Sequence, residues 1–274
     1  MAMSVLYVVS TPIGNLSDQS DRAKGLFNSI EYVIAEDTRV SKKLFMENKK
    51  KVTIISVHEH SPQSKLEQAV KFLEKGDTVL VSDAGTPGIS DPGNEIVRLA
   101  VESGHRTIPV PGPSAVSAAL SICSWPVNRF IFLGFLPRKQ NDRISLLKSV
   151  KENFGSVVCF ESPRRLKKSL KDIETVTGDC EIMVCRELTK MHEEVFRGTS
   201  SEAQKHFIDP IKGEFTIVIR ETLSENPGIS DETILAEIYQ ARKMGLTGRS
   251  IVDHVTEKFP GTKNKTYQLE IGSR

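Results

Sequence analysis

The chain has little of what marks secreted, membrane-spanning or metal-stapled proteins. Its 274 residues contain no run of about 18 apolar residues, so no membrane-spanning helix is expected. The opening, Met1 to Pro12, has neither the charged start nor the long apolar stretch of a secretion signal, so a cytoplasmic location is expected. The four cysteines (Cys123, Cys159, Cys180 and Cys185) form no CxxC pair. Cys159 and Cys185 fall in apolar, strand-like runs, which predicts buried thiols in a reducing compartment. HExxH is absent, and His58-Glu59-His60 has no third ligand at metal spacing, so a solvated loop is the reading and no metal is expected. GxGxxG and GxxxxGK[ST] are both missing, which excludes the dinucleotide fingerprint and the P-loop. An excess of one charge is missing too. Thirty-seven basic residues against 35 acidic leave a net charge of +2, which by itself points to no polyanionic partner. Local basic runs say more: Lys49-Lys50-Lys51, Arg138-Lys139 with Arg143, and Arg164-Arg165 with Lys167-Lys168. The first reads as a solvated loop after a helix.

What is present fits a soluble α/β protein. Hydrophobic residues at 38% and charged residues at 26% allow a sizeable core, and the length predicts two domains. The most informative run is Val79 to Gly93. Thr78-Val79-Leu80-Val81 reads as a buried strand. Asp83 to Gly93 then holds three glycines, two prolines and two aspartates, and Ile96, Val97, Leu99, Ala100 and Val101 carry a helical apolar face. Asp91 suits an N-cap and Pro92 the first helical position. Glycines after a strand let a ligand approach the backbone, and in open α/β sheets ligands sit beyond the carboxyl ends of the strands. A loop this long predicts a small-molecule site, since an ordinary turn of this kind needs about 2–6 residues.

The rest of the chain repeats the pattern. Strands are expected at Val5–Val9, Tyr32–Ala35, Val52–Val57 and Thr107–Val110, with helices at Asp21–Ile30, Val40–Glu47, Lys65–Glu74 and Val116–Ile122. Pro113 again suits a helix start. Glu36-Asp37-Thr38-Arg39 closes the second strand: Arg39 suits a phosphate, Glu36 or Asp37 a proton acceptor, and Asp37 or Thr38 equally a helix cap. After a linker at Ser124–Asn128, strands are expected at Phe130–Phe135, Val157–Phe160, Glu181–Cys185 and Phe215–Arg220. Helices are expected at Ile144–Val150 and from Pro163, with Ser162 as cap. A βαβ-type pattern in both halves predicts two α/β layers over a cleft. Ser224–Ser230 reads as a linker to a helical appendage with helices at Ile234–Met244, Ile251–Lys258 and Asn264–Leu269. The domains expected are therefore 1–123, 129–222 and 231–274.

Taken in order, VSTPIGNLSD (Val9–Asp18), EDTR (Glu36–Arg39), VSDAGTPGISDPG (Val81–Gly93), PGPSA (Pro111–Ala115), FLGFLP (Phe132–Pro137), ESPRRL (Glu161–Leu166), CRELTK (Cys185–Lys190) and KGEF (Lys212–Phe215) resemble the tetrapyrrole-methylase superfamily of S-adenosylmethionine-dependent methyltransferases. Within it they look like the branch that methylates a ribose 2′-hydroxyl of small-subunit ribosomal RNA. The resemblance covers residue 4 to about 220. It implies two α/β domains with S-adenosylmethionine in the cleft between them, a homodimer, and methylation of a cytidine ribose in the decoding region of 16S rRNA. By motif position, the cofactor contacts would be Pro12, Gly14, Asp83, Gly85, Thr86, Ile89, Ser114, Ala115 and Leu133. The branch commonly carries a histidine where this chain has Arg164. Arginine stays protonated and cannot serve as a base there, but it suits a phosphate.

The sulfonium donor is already activated, so the protein's tasks are in-line placement of the 2′-oxygen and removal of its proton. Glu36, Asp37 or Glu187 is expected to assist proton removal, unranked among themselves. Arg39, Arg164, Arg186 and Lys190 are expected to hold RNA phosphates. A methylase of the same fold acting on a tetrapyrrole or a protein side chain, and a non-catalytic RNA-binding module, are the other readings.

Overall fold

The computed structural model describes residues 4–48, 50–58, 60–150, 155–208, 210–220, 231–259 and 262–273. They form two compact units, divided between Thr222 and Leu223. The expected linker Ser224–Ser230, along with Lys49 and Glu59, lies outside the described residues.

The first unit contains two sheets. The first is wholly parallel: β1 (Val5–Val9), β2 (Tyr32–Ala35), β3 (Thr53–Ser56), β4 (Thr78–Val81) and β5 (Arg106–Val110), in the order β3-β2-β4-β1-β5. Its strands are apolar on both faces because helices cover both. Val33, Ala35, Val79 and Val81 point to one face, against α1 (Asp21–Phe27) and Phe45. Leu6, Ile34 and Leu80 point to the other, against α3 (Gln63–Lys75) and α4 (Asn94–Glu102). This is the period of two in a fully buried strand. β1 and β4 are neighbours, yet the chain leaves them toward opposite edges, β1 toward β2 and β4 toward β5. Such a switch point opens a crevice at the strands' carboxyl ends.

The second sheet comprises β6 (Phe130–Phe135), β7 (Ser156–Glu161), β8 (Glu181–Arg186), β9 (Glu194–Thr199) and β10 (Phe215–Ile219), in the order β6-β7-β10-β8-β9. Only β6 and β7 pair in parallel; β10 runs antiparallel to both β7 and β8, and β9 antiparallel to β8. The expected βαβ repetition therefore holds for β6, β7 and β8, which run parallel to one another with a helix between each, and is broken by β9 and β10. The unforeseen β9 returns directly from β8, and α8 (Ser200–His206) then carries the chain toward β10. One face packs on α6 (Gln140–Val150), α7 (Pro163–Thr177) and α8. The other, through Val158, Met183, Cys185 and Val218, meets α5 (Ala115–Ser121) and the single tryptophan, Trp125. Trp125 is buried, and its Nε1 donates to Ser156 Oγ at 3.2 Å. The helix following the first sheet thus packs on the second sheet.

Three local expectations change. The helix expected at Val40–Glu47 is one turn, α2 (Thr38–Ser41), capped by the Asp37 side chain and continued as a 3-10 turn over Lys42–Phe45. α5 begins at Ala115 with Ser114 as N-cap, so Pro113 precedes the helix. α4 begins at Asn94 with Gly93 as N-cap, so neither Asp91 nor Pro92 plays the helical role expected.

The second unit is three helices, α9 (Asp231–Lys243), α10 (Arg249–Lys258) and α11 (Lys263–Gly272). Ile234, Ile238, Ala241, Ile251 and Val255 form its core.

Candidate active site

The loops after β1, β4 and β5 are bound to one another at the carboxyl edge of the first sheet. Thr11 N–H donates to Gly85 O at 2.8 Å, and Gly85 N–H donates back to Thr11 O at 3.0 Å. The hydroxyls of Ser10 and Thr86 lie 2.8 Å apart. Thr86 Oγ1 reaches Pro113 O at 3.4 Å. Gly85 has φ +78°, a left-handed conformation that costs other residues about 1–2 kcal/mol. The glycine here meets a backbone requirement.

The opposite wall is one edge of the second sheet, where β6, β7 and β8 end and β10 begins. A cavity of about 300 Å³ lies between the walls. Ile13, Ala84, Gly85, Thr86, Ile89, Asp91, Ser114 and Ala115 line it from one side. Phe135, Phe160, Glu161, Ser162, Pro163, Cys185, Leu188 and Gly213–Thr216 line it from the other. The walls also touch beside it. Asn15 N–H donates to Thr189 Oγ1 at 3.1 Å, and a Cβ on Gly14 would lie 2.4 Å from Lys190 Cγ. Among the described residues, three non-glycine residues have positive φ, namely Ser90 (65°), Glu187 (51°) and Thr189 (67°). All lie in the two loops that face each other, where such strain is commonly functional.

No lysine or arginine lines the cavity, but three carboxylates do. Glu161 is fully buried and committed: Arg165 pairs with it at 2.6 Å, Ser162 N–H donates at 2.7 Å and Ser169 Oγ at 2.5 Å. Glu214 is largely exposed and pairs with Lys190 at 2.9 Å. Asp91 has no cation partner among the described residues. Burial, together with the charges of Glu36, Asp83 and Glu214, raises its pKa to about 6 against a hydrogen bond from Ser82. Sequence reasoning missed Asp91 by giving it to the helix start. The signal it passed over was a second aspartate in the same glycine-rich loop.

A family model for tetrapyrrole (corrin/porphyrin) methylases matches residues 5–204. The chain belongs to the tetrapyrrole methylase family. A protein of Synechocystis sp. named ribosomal RNA small subunit methyltransferase I is 37% identical over 273 residues, 98% of each chain. Proteins of the same name are 42% identical in Thermotoga maritima, over 79% of this chain and 98% of that one, and 38% in Bacillus subtilis, over 95% and 87%. Among solved structures, cobalt precorrin-4 methyltransferase matches with a TM-score of 0.58 at 18% identity, over 79% of this chain and 94% of that one. Uroporphyrin-III-C-methyltransferase from Thermus thermophilus matches with a TM-score of 0.56 at 14% identity, over 80% and 94%. These two likenesses establish the tetrapyrrole methylase fold.

Of the cofactor contacts that the family resemblance implied, Gly85, Thr86, Ile89, Ser114 and Ala115 line the cavity. Pro12, Gly14, Asp83 and Leu133 are outside its lining. Pro12 is buried beside Ile13, and Gly14 packs on Lys190. Asp83 Oδ1 accepts Asp37 N–H at 3.0 Å, and Leu133 packs into the core of the second sheet. The three expected proton acceptors differ in their surroundings. Asp37 pairs with Arg39 at 2.7 Å, and that guanidinium holds its carboxyl down at about 2. Glu187 feels burial upward, but Lys190 at 2.9 Å and the Glu214 amide outweigh it and lower its pKa. Glu36 alone is raised, first by burial and then by Asp83.

The expected phosphate-binding cations are also placed. Arg39 is paired with Asp37, Arg186 with Glu194 at 3.1 Å, and Lys190 with Glu187 and Glu214. Arg164 is exposed, one residue beyond the cavity-lining Pro163. The Arg138-Lys139-Arg143 run divides: Arg143 is buried against Asp172 and is no surface cation. Among the described residues, no group of histidine, cysteine, aspartate and glutamate side chains suits a metal ion. No described helix is long and apolar enough to cross a membrane.

Proposed function

We propose that this chain transfers the methyl group of S-adenosylmethionine to the 2′-oxygen of a cytidine ribose in small-subunit ribosomal RNA. The observation that carries this reading is the near full-length likeness to proteins named for small-subunit rRNA methylation. The cavity fits the cofactor. Its lining combines apolar side chains (Ile13, Ile89, Phe135, Phe160 and Leu188) with Asp91, a carboxylate that no described cation pairs, which favours a ligand bearing positive charge. Gly85, in its left-handed conformation, presents backbone to the cavity.

The bound cofactor supplies an electrophilic methyl group with a neutral leaving group. The chain's own residues then bind and orient. Gly85, Thr86, Ile89, Ser114 and Ala115 hold the cofactor from the first wall. Pro12, Gly14, Asp83 and Leu133 support that wall and its partner from behind. Arg39, Arg164, Arg186 and Lys190 meet RNA phosphates. For Arg39, Arg186 and Lys190 this means exchanging carboxylate partners for phosphate. Fixing the ribose hydroxyl against the methyl donor is the largest contribution such a site makes, about 7–11 kcal/mol at best. We further propose that the chain acts in the cytoplasm as a homodimer, with 1–123 and 129–222 as its two α/β domains and 231–274 as a helical extension.

The test is methyl transfer from labelled S-adenosylmethionine to small ribosomal subunits from a strain lacking this gene, with naked RNA alongside. Label on a ribose 2′-oxygen is expected. Cofactor binding without label on either RNA would sink the RNA reading and favour another substrate on the same fold.

A further inference from the structure

Asp91 stands apart from every other carboxylate of the site. It lines the cavity, whereas Glu36 and Asp83 do not. It has no cation partner among the described residues, whereas Glu161 is held by Arg165, Glu214 by Lys190, Glu187 by Lys190 and Asp37 by Arg39. Ser82, buried just after β4, lies close enough for its hydroxyl to favour the ionised form of Asp91. An uncompensated carboxylate half-buried in a cleft costs the fold stability, and such a group is a candidate for function. A carboxylate already engaged by arginine or lysine has little left with which to take a proton.

We propose that Asp91 accepts the proton of the substrate hydroxyl. The assignment rests on the function proposed above. As the O–CH3 bond forms and the S–CH3 bond breaks, the sulfur keeps the bonding pair and leaves as the neutral thioether. The hydroxyl proton passes to an Asp91 carboxylate oxygen, and from there to solvent. Glu36 and Asp83 act through Asp91. Their negative charges, with that of Glu214, strengthen its hold on a proton, while Glu161 on the far wall is neutralised by Arg165. With its pKa raised to about 6, Asp91 is mostly ionised at neutral pH, and a cationic donor nearby favours that form further.

Single-turnover methyl transfer to small ribosomal subunits, with calorimetric binding of S-adenosylmethionine, tests the assignment. Asp91→Asn is expected to lower the rate at saturation about 10²–10⁴-fold while the cofactor Kd stays within about threefold. Asp91→Glu should recover part of the rate. The wild-type kcat/KM profile should fall on the acid side near pH 6, and that limb should vanish in Asp91→Asn. A variant rate within threefold of wild type overturns the assignment. So does a weakened cofactor Kd with an intact saturating rate, which makes Asp91 a binding residue only. If Asp91→Asn fails to fold, a wild-type profile that is flat between about pH 5 and 7 overturns it. An inactive wild type that binds cofactor refutes the function reading instead, and the proton acceptor falls with it.

Discussion

Replacing Arg143 separates two readings of a basic run that look alike in the sequence. If Arg143 faced RNA, its loss would weaken binding and leave the fold alone. In the structure its side chain is 4% exposed and that of Asp172 3%. Arg143 Nε donates to Asp172 Oδ2 at 2.7 Å, and Nη1 to Pro137 O at 2.9 Å. Gln140 Nε2 takes the other carboxylate oxygen at 2.7 Å. Removing one partner of such a pair strands a buried charge and costs about 3–5 kcal/mol. For a unit of about 220 residues each kcal/mol shifts Tm by about 2–4 °C, so Arg143→Met should lower Tm by roughly 6–20 °C. Replacing both, as Arg143→Met with Asp172→Leu, should return most of that loss, because no charge is left unpaired. Calorimetry of the two single variants and the double variant completes the cycle. A Tm within about 2 °C of wild type for Arg143→Met, together with a salt dependence of RNA binding reduced by about one unit, would refute the buried-pair account and return Arg143 to the RNA surface.

Arg164→Ala should leave Tm unchanged and reduce the slope of log affinity against log salt by about one, measured by RNA retention across a salt series. An unchanged slope would remove Arg164 from the phosphate contacts. Gly14→Ala places a Cβ 2.4 Å from Lys190 Cγ and 2.8 Å from Thr189 Oγ1. It should therefore push the facing loops apart and slow methyl transfer at least tenfold, and a wild-type rate would show that the loops give way freely. Thr199→Ala breaks a reciprocal capping box with Glu202, so it should cost about 1 kcal/mol and about 2–4 °C in Tm without touching turnover.

The first sheet was legible because its strands carry the one pattern that needs no context. Tyr32–Ala35 and Thr78–Val81 are apolar runs bounded by charge, glycine or proline, and they fold within the bounds read from them. The second sheet was legible only in part. Glu194–Thr199 sets Glu, Arg, Gly and Thr around only two apolar residues, Val195 and Phe196, and is half-exposed at the sheet edge, so it carries no buried-strand signature. The antiparallel course of β10 leaves no mark on its own apolar residues, since direction is set by where the preceding chain returns. The helix starts failed for a related reason. Asp91 and Pro92 meet every local rule for a cap, but Gly93 carries the capping position at φ 149° and leaves Asp91 to the cavity. Local propensity placed the loop, and the packing of α4 on Leu80 decided which residue began the helix.

The same logic explains why the site residues were harder to read than the motifs. Charge type is visible in a sequence; the partner of a charge is not. Arg39, Arg186 and Lys190 looked like free cations at strand ends and are each held by a carboxylate; Asp37 and Glu187, which looked like free bases, hold Arg39 and Lys190, and Glu194 holds Arg186. The pairings sort the site into two regions. Inside, the cavity has carboxylates and no cation, which suits a positively charged methyl donor. Outside it lie the proposed phosphate contacts Arg39, Arg164, Arg186 and Lys190, three of them held by carboxylates that a phosphate would replace. The proposed function asks a chain with a net charge of only +2 to take both a cationic cofactor and RNA, and the unpaired groups divide accordingly: Asp91 lines the cavity and Arg164 is exposed outside it. Asp91 lines that cavity, where in the proposed reaction a hydroxyl presented by the RNA and a methyl presented by the cofactor have to meet.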